Sequence, residues 1–263
     1  MLGAIIGDIA GSRFEFSNHR SKDFELLSDR CFFTDDSVMS LAVAEALMTS
    51  GEGFAHLPEA AVSCMQRIGR PYPHSGYGGR FYGWIYSDDP QPYNSWGNGA
   101  AMRVSACGWA GSTPDEVKRL SRDVTAVTHN HPEGLKGAEA TAVAVFMART
   151  GSSMEEIRRV IRDNYYEIRF TCDEIRPVYR FNESCQDTVP QALEAFFESA
   201  SFEDAIRTAV SVGGDSDTLA AITGGIAEAY YGIPEDIRAR AVSFLDARLT
   251  DILDRFEGRY GRK

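Results

Sequence analysis

The 263-residue sequence predicts an all-α fold, a bundle of roughly ten helices, on three observations. Apolar residues recur at i, i+3 and i+4, strict alternation is scarce, and helix start and stop signals bracket the periodic stretches. Hydrophobic residues make up 43% and charged residues 25% of the chain, which supplies enough apolar material for a substantial interior.

The elements follow in order. A first helix is read over Leu2 to Gly11, and a second carries the face Val38, Leu41, Ala42, extended by Ala44 and Met48. Pro58 to Ile68, Gly99 to Ala110, Pro114 to Val127, Leu135 to Arg149 and Met154 to Asn164 follow. Val189 to Ser199, Phe202 to Ser211, Thr218 to Tyr231 and Pro234 to Phe256 complete the set. Several open on Pro, whose fixed φ and missing N–H suit a first helical turn. Gly69 to Gly99 differs: it is crowded with Gly, Pro and aromatic residues and reads as a long structured loop, of the kind that forms lids or substrate walls.

No stretch reads as a linker, so residues 1–263 are expected to form a single domain. The formal net charge of −11 disfavours non-specific binding to nucleic acid. The five cysteines lack CxxC or Cys/His spacing, which argues against a disulfide framework or a zinc site. The opening MLGAIIGDIAG has no basic n-region and is interrupted at Asp8, and no run reaches the ~20 apolar residues of a membrane span. A cytoplasmic protein is expected, without a membrane partner, and nothing demands more than a monomer.

Chemistry concentrates in acidic clusters. Thr34, Asp35, Asp36 and Ser37 open one helix; Asp215, Ser216, Asp217 and Thr218, preceded by Gly213 and Gly214, open another. Either cluster alone is an ordinary helix start, since Thr and Asp oxygens satisfy free N–H groups and complement the helix dipole. Two such clusters brought together would repel, and hard divalent cations remove that penalty: carboxylates with Thr hydroxyls suit Mg²⁺ or Mn²⁺. GDIAGSRFEF adds Asp8 and Glu15.

GDIAGSRFE from Gly7, FTDDS from Phe33, WGNGAAMR from Trp96 and GGDSDTLAAITGGIAEAYYG from Gly213, in that order, resemble the ADP-ribosylglycohydrolase family. The resemblance implies an all-α, orthogonal helical bundle with a binuclear Mg²⁺ or Mn²⁺ cleft. It implies metal ligation by Thr34, Asp35, Asp36, Asp215, Asp217 and Thr218, with Glu15 on an acidic position that contributes to catalysis or reaches the metal; a positioned water then needs a base, for which Glu15 or Asp36 is expected. It further implies that Gly97, Asn98, Gly99 and Met102 meet the ribose and diphosphate through a helix N-terminus, and that His129 and Gly134 line the cleft. GYGGRF, with Tyr77 or Phe81 stacking, is expected to wall the substrate, and Arg103 is a further candidate. The partner implied is ADP-ribose or an ADP-ribosylated protein or other acceptor, whose glycosidic bond is hydrolysed.

Three rivals are weighed against this. A DxDxT phosphatase needs βα alternation, which is missing, and more chain after Asp215 than remains. An isoprenoid synthase needs DDxxD, whereas residues 35 to 39 read DDSVM. A catalytically idle ADP-ribose or nucleotide sensor would keep the fold; the full set of acids disfavours it.

Overall fold

The computed structural model describes residues 1–261. Apart from one antiparallel bridge between Gly97 and Ser184, the regular elements among those residues are all helical. They run α1 (Leu2–Gly11), α2 (Asp35–Thr49), α3 (Leu57–Gly69), α4 (Gly79–Tyr86), α5 (Ser105–Ala110), α6 (Pro114–Ala126) and α7 (Pro132–Arg149). Then come α8 (Met154–Asn164), α9 (Cys172–Ile175), α10 (Cys185–Phe197), α11 (Phe202–Val212), α12 (Ser216–Tyr231), α13 (Glu235–Val242) and α14 (Ala247–Tyr260). The fold is all-α, as the periodicity predicts. No helix among the described residues is long and apolar enough to cross a membrane.

The centre is the pair α1 and α12. Every residue of α1 is buried, as is α12 through Ala229, so both are core helices with no solvent face. Gly3, Gly7 and Gly11, one turn apart, let the two backbones touch. A Cβ at Gly7 would lie 1.9 Å from the Ala220 carbonyl oxygen, one at Gly3 2.2 Å from that of Gly224, and one at Gly11 2.5 Å from Asp217 Cα. The contacts ascend α1 as they descend α12, so the helices are antiparallel, and the C-terminal end of α1 abuts the N-terminal end of α12. That juxtaposition brings Asp8 and Glu15 toward Asp215 and Asp217. Around it, α2 packs on α3, α11 and α10 on α12, and α7 on α5, α6 and α12.

Besides the short α9, which lies where no helix is read, the structure departs from the sequence reading in four main places. The segment read as a loop over Gly69 to Gly99 contains α4, whose Phe81, Trp84 and Ile85 form a buried i, i+3, i+4 face; neighbouring glycines and tyrosines mask that period in the sequence. Gly99 to Ala110 is a 3₁₀ turn (Asn98–Ala100) followed by the short α5. Pro234 to Phe256 breaks in two because Asp246 caps the N–H groups of Arg248 and Leu249 and starts α14. Helix α10 begins at Cys185, four residues before the expected Val189, where Ser184 caps Asp187 N–H.

Candidate active site

Helices α2 and α12 both begin at one cavity. Thr34 is the N-cap of α2 and its hydroxyl accepts from Asp36 N–H at 3.3 Å. The same hydroxyl donates to Asp8 Oδ1 at 2.7 Å, and Asp8 Oδ2 accepts from the N–H groups of Thr34 (2.9 Å) and Ser37 (3.0 Å) and from the Ser37 hydroxyl. The buried Asp8 of α1 thus fixes the first turn of α2. At the other helix start, Gly213 and Gly214 have φ of +78° and +72°, a reversal that L side chains resist. The reversal delivers Asp215 as the N-cap of α12, but its side chain makes no capping bond; it accepts instead from Asn98 Nδ2 at 2.6 Å. A residue suited to capping is used on the cavity instead.

The cavity, about 270 Å³, is lined on its acidic side by Glu15, Asp35, Asp36, Glu183, Asp215, Asp217 and Thr218. The Thr218 hydroxyl donates to Asp36 Oδ2 at 3.2 Å, joining the two clusters. Ligand oxygens of Glu15, Asp215 and Asp217 lie within 4.8 Å of one another. Asp36 Oδ1 and Asp217 Oδ1 are buried with no hydrogen-bond partner. Burial, together with the neighbouring carboxylates, holds Asp35, Asp36 and Asp217 well above the usual carboxylate range. Glu15 is pushed up to about 7 by burial first, then by Asp215, Asp8 and Glu183. Such a set fits cations: hard oxygen donors, two of them orphaned, whose mutual repulsion a divalent ion would offset.

The remaining wall is basic and aromatic: Arg80, Phe81, Tyr93, Arg103 and His129 line it. Arg103 is 1% exposed, and its Nη2 reaches the Thr128 hydroxyl at 2.5 Å and His129 Nδ1 at 3.0 Å. A guanidinium can only donate, so His129 Nδ1 accepts and the ring proton sits on Nε2. Burial, with Arg103 and Arg80 nearby, depresses the imidazole well below its ordinary value and keeps it neutral. Nε2 looks toward Gly97 and Gly99, where a Cβ would stand 3.5 and 3.4 Å from it.

Most residues singled out from the sequence meet at this cavity: Glu15, Asp35, Asp36, Gly97, Asn98, Gly99, Met102, His129, Asp215, Asp217 and Thr218 all line it. Thr34 does not; it stands against Asp8. Nor does Gly134, whose Cβ would meet the Ser95 carbonyl at 2.8 Å, so its role is to let the 95–97 segment pack on α7. The helix N-terminus expected at Gly97 to Gly99 is one 3₁₀ turn, and two of its N–H groups bond within the protein: Gly97 to Ser95 Oγ (3.1 Å) and Asn98 to the Glu183 carbonyl (2.6 Å). Tyr77 turns its hydroxyl to the Gly69 carbonyl, leaving Phe81 as the ring on the wall. Glu183, Arg80 and Tyr93 are lining residues that the sequence reading did not single out. Glu183 carries no signal, being one acid in an irregular segment.

A family model described as ADP-ribosylglycohydrolase matches residues 1–262. The chain is 24% identical to human ADP-ribosylhydrolase ARH3 over 334 aligned residues, covering 96% of this chain and 90% of that protein. It is 28% identical over 239 residues to the ADP-ribosyl-dinitrogen reductase glycohydrolase of Rhodospirillum rubrum, covering 82% and 74% respectively. A solved ADP-ribosylglycohydrolase-related protein complex shares the fold, with a TM-score of 0.69 at 24% identity over 92% of this chain and 94% of the other.

Proposed function

The chain belongs to the ADP-ribosylglycohydrolase family, and from that premise we propose that it hydrolyses the glycosidic bond between ADP-ribose and an acceptor, with two divalent cations, Mg²⁺ or Mn²⁺. The observation that carries this reading is the meeting of two acid-bearing helix starts at one cavity, with Asp36 Oδ1 and Asp217 Oδ1 buried and unpaired. Thr34, Asp35, Asp36, Asp215, Asp217 and Thr218 would hold the cations; for Thr34 this needs the hydroxyl's remaining lone pair, beyond its bonds to Asp8 and Asp36. The chemistry that bound cations supply is positive charge at the ribose hydroxyls and a lowered pKa for a water molecule.

The chain's own groups account for the rest. Cleavage at an anomeric carbon runs through an oxocarbenium-like transition state, which needs a positioned water and a group to take its proton. Glu15 suits that task better than Asp36. It is half-buried and its carboxyl is pushed up to about 7, whereas Asp36 is buried and already receives the Thr218 hydroxyl. Arg103, within electrostatic reach of Asp35, and Arg80 offer positive charge on the basic wall, where a diphosphate needs it, and His129 Nε2–H offers a neutral donor to a ribose or phosphate oxygen. Asn98, itself a lining residue, holds Asp215 in place through its side-chain amide.

The test is calorimetric titration of ADP-ribose into the protein with Mg²⁺ or Mn²⁺ and after chelation, followed by turnover of ADP-ribosylated peptides. Metal-strengthened binding together with metal-dependent release of ADP-ribose supports the reading. Binding without turnover on any linkage would make the chain a sensor, and absence of both would leave only the fold in common with the family.

A further inference from the structure

Arg103 is a charge buried without a bonded counter-ion. Both hydrogen bonds of its side chain come from Nη2, to the neutral acceptors Thr128 Oγ and His129 Nδ1, and its Nε is buried with no partner. Asp35 acts on it, but only at electrostatic range: among the described residues no carboxylate hydrogen-bonds to the guanidinium. Its remaining neighbour on this wall is the Phe81 ring, whose centroid lies 5.5 Å from Cζ. Enclosing a guanidinium among neutral partners costs stability, so the position of this charge calls for a role other than holding the fold.

The group in front of it is the imidazole of His129. Its Nδ1 edge meets Arg103 Nη2 at 3.0 Å and the Thr128 hydroxyl at 2.7 Å. That hydroxyl accepts from the guanidinium and has its own proton to give, to Nδ1 or to the Thr125 carbonyl at 3.5 Å. In both arrangements Nδ1 keeps its lone pair, because a proton there would point into the guanidinium N–H. The Nε2 edge faces the turn at Gly97 to Gly99. The charged and titratable groups around the ring are Arg103, Arg80 at the start of α4, and Tyr93, whose ring centroid lies 5.9 Å away. From α7 it meets Gly134, which carries no charge, and no acid acts on it.

Resting on the ADP-ribosyl binding proposed above, we propose that Arg103 is a positioning residue that acts through His129. From behind the ring it holds the proton on Nε2 and bars a second proton from Nδ1. The wall thus presents ADP-ribose with the same single donor in acid as at neutrality, aimed past the Gly97 to Gly99 turn. A lysine or a surface arginine cannot do this, since the fixed donor must be buried against Nδ1.

The experiment records long-range nitrogen–proton NMR spectra of the histidine rings in the full chain between about pH 5.5 and 8, where a free imidazole titrates, with His129→Gln identifying the ring in question. In wild type, His129 is expected to keep Nε2 protonated and Nδ1 bare throughout. In Arg103→Met, which removes the charge and the donors, the same ring should titrate. Calorimetry with Mg²⁺ then gives the Kd of ADP-ribose at both ends of the range. Relative to wild type, the ratio of the two values in Arg103→Met should shift about fivefold toward tighter binding in acid, because an imidazolium holds a diphosphate better than a neutral ring does. No such shift should separate Arg103→Met/His129→Gln from His129→Gln, which a loss of packing alone would not predict. A wild-type His129 that titrates in this range, or that carries its proton on Nδ1, overturns the assignment whether or not the variant folds. An Arg103→Met protein whose ring stays neutral overturns it too. Wild type that binds no ADP-ribose overturns the hydrolase reading and the ligand named here, while the ring spectra still decide what Arg103 does.

Discussion

Asn18 and Gly214 hold each other by a reciprocal pair of hydrogen bonds. Asn18 Nδ2 donates to the Gly214 carbonyl at 2.9 Å, and Gly214 N–H donates to Asn18 Oδ1 at 2.8 Å. The same Nδ2 reaches the carbonyls of Phe14 (2.9 Å) and Glu15 (3.0 Å). One amide therefore ties the backbone at Glu15 to the residue before Asp215. Arg20 reinforces the join, donating to the Val212 carbonyl at 2.7 Å and the Tyr179 carbonyl at 2.7 Å.

Asn18→Ala should accordingly cost about 1–2 kcal/mol of stability, read by urea denaturation, since two cross-loop bonds are lost at about 1 kcal/mol each. Turnover should fall by more than the stability loss explains, because Glu15 loses its register with Asp215. Asn18→Asp, which keeps only the acceptor, should recover little. Unchanged kcat in folded Asn18→Ala would show that Glu15 is positioned by other contacts.

The contact between α1 and α12 makes a sharp prediction about two glycines. Gly7→Ala drives a methyl to within 1.9 Å of the Ala220 carbonyl and should destabilise by about 3 kcal/mol or more, or prevent folding. Gly258, inside α14, faces open space, and Gly258→Ala should stabilise by about 0.5–1 kcal/mol through helix propensity alone. Thermal melts of the pair compare the two directly; similar shifts in both would contradict the close approach of the helices.

That contact also separates what the sequence discloses from what it does not. The helical period of α6, α8 and α11 is plain because each has a polar face, whereas α2 is buried all round from Asp36 to Leu47 and shows itself mainly by its acid cluster, since carboxylates pair at helix starts. Helix α4 hides because only Phe81, Trp84 and Ile85 of its eight residues are buried. The cavity's basic wall is harder still. From the sequence Arg103 is as much a surface residue one turn into a helix as a site candidate, and it is buried because Thr128, His129 and the Phe81 ring, all distant in sequence, close over it. Glu183 acquires meaning only beside Glu15, on the acidic side of the cavity.

The acids set a pH dependence. Burial raises Asp8 to about 6, against its bonds from Ser37 and Thr34, and burial with nearby acids raises Glu15 to about 7. In the unfolded chain both titrate near 4. Between about pH 4 and 7 the folded protein thus binds more protons than the unfolded one, so stability falls as pH rises through that window and is recovered as pH falls. The chelated protein should melt higher at pH 5.5 than at pH 7.5, and Mg²⁺ or Mn²⁺ should raise the melting temperature most at pH 7.5. A chelated protein that melts steadily lower on acidification over this range would contradict the charge assignment.

Removing one acid should have opposite effects with and without cation. In chelated Asp36→Asn, repulsion from Asp8, Asp35 and Asp215 is relieved, and the melting temperature should rise by about 2–4 °C for about 1 kcal/mol. The rise that Mg²⁺ or Mn²⁺ produces in wild type should shrink or vanish. A variant that matches wild type in both states would mean that Asp36 holds no cation.

The most direct measurement is release of free ADP-ribose from arginine- and serine-linked ADP-ribosyl peptides by wild type and Asp217→Ala, each with Mg²⁺ or Mn²⁺ and after chelation. The expected result is release by metal-loaded wild type alone, with Asp217→Ala folded and inactive. Turnover that survives chelation, or that persists in Asp217→Ala, would contradict a metal-dependent hydrolase centred on the two helix starts.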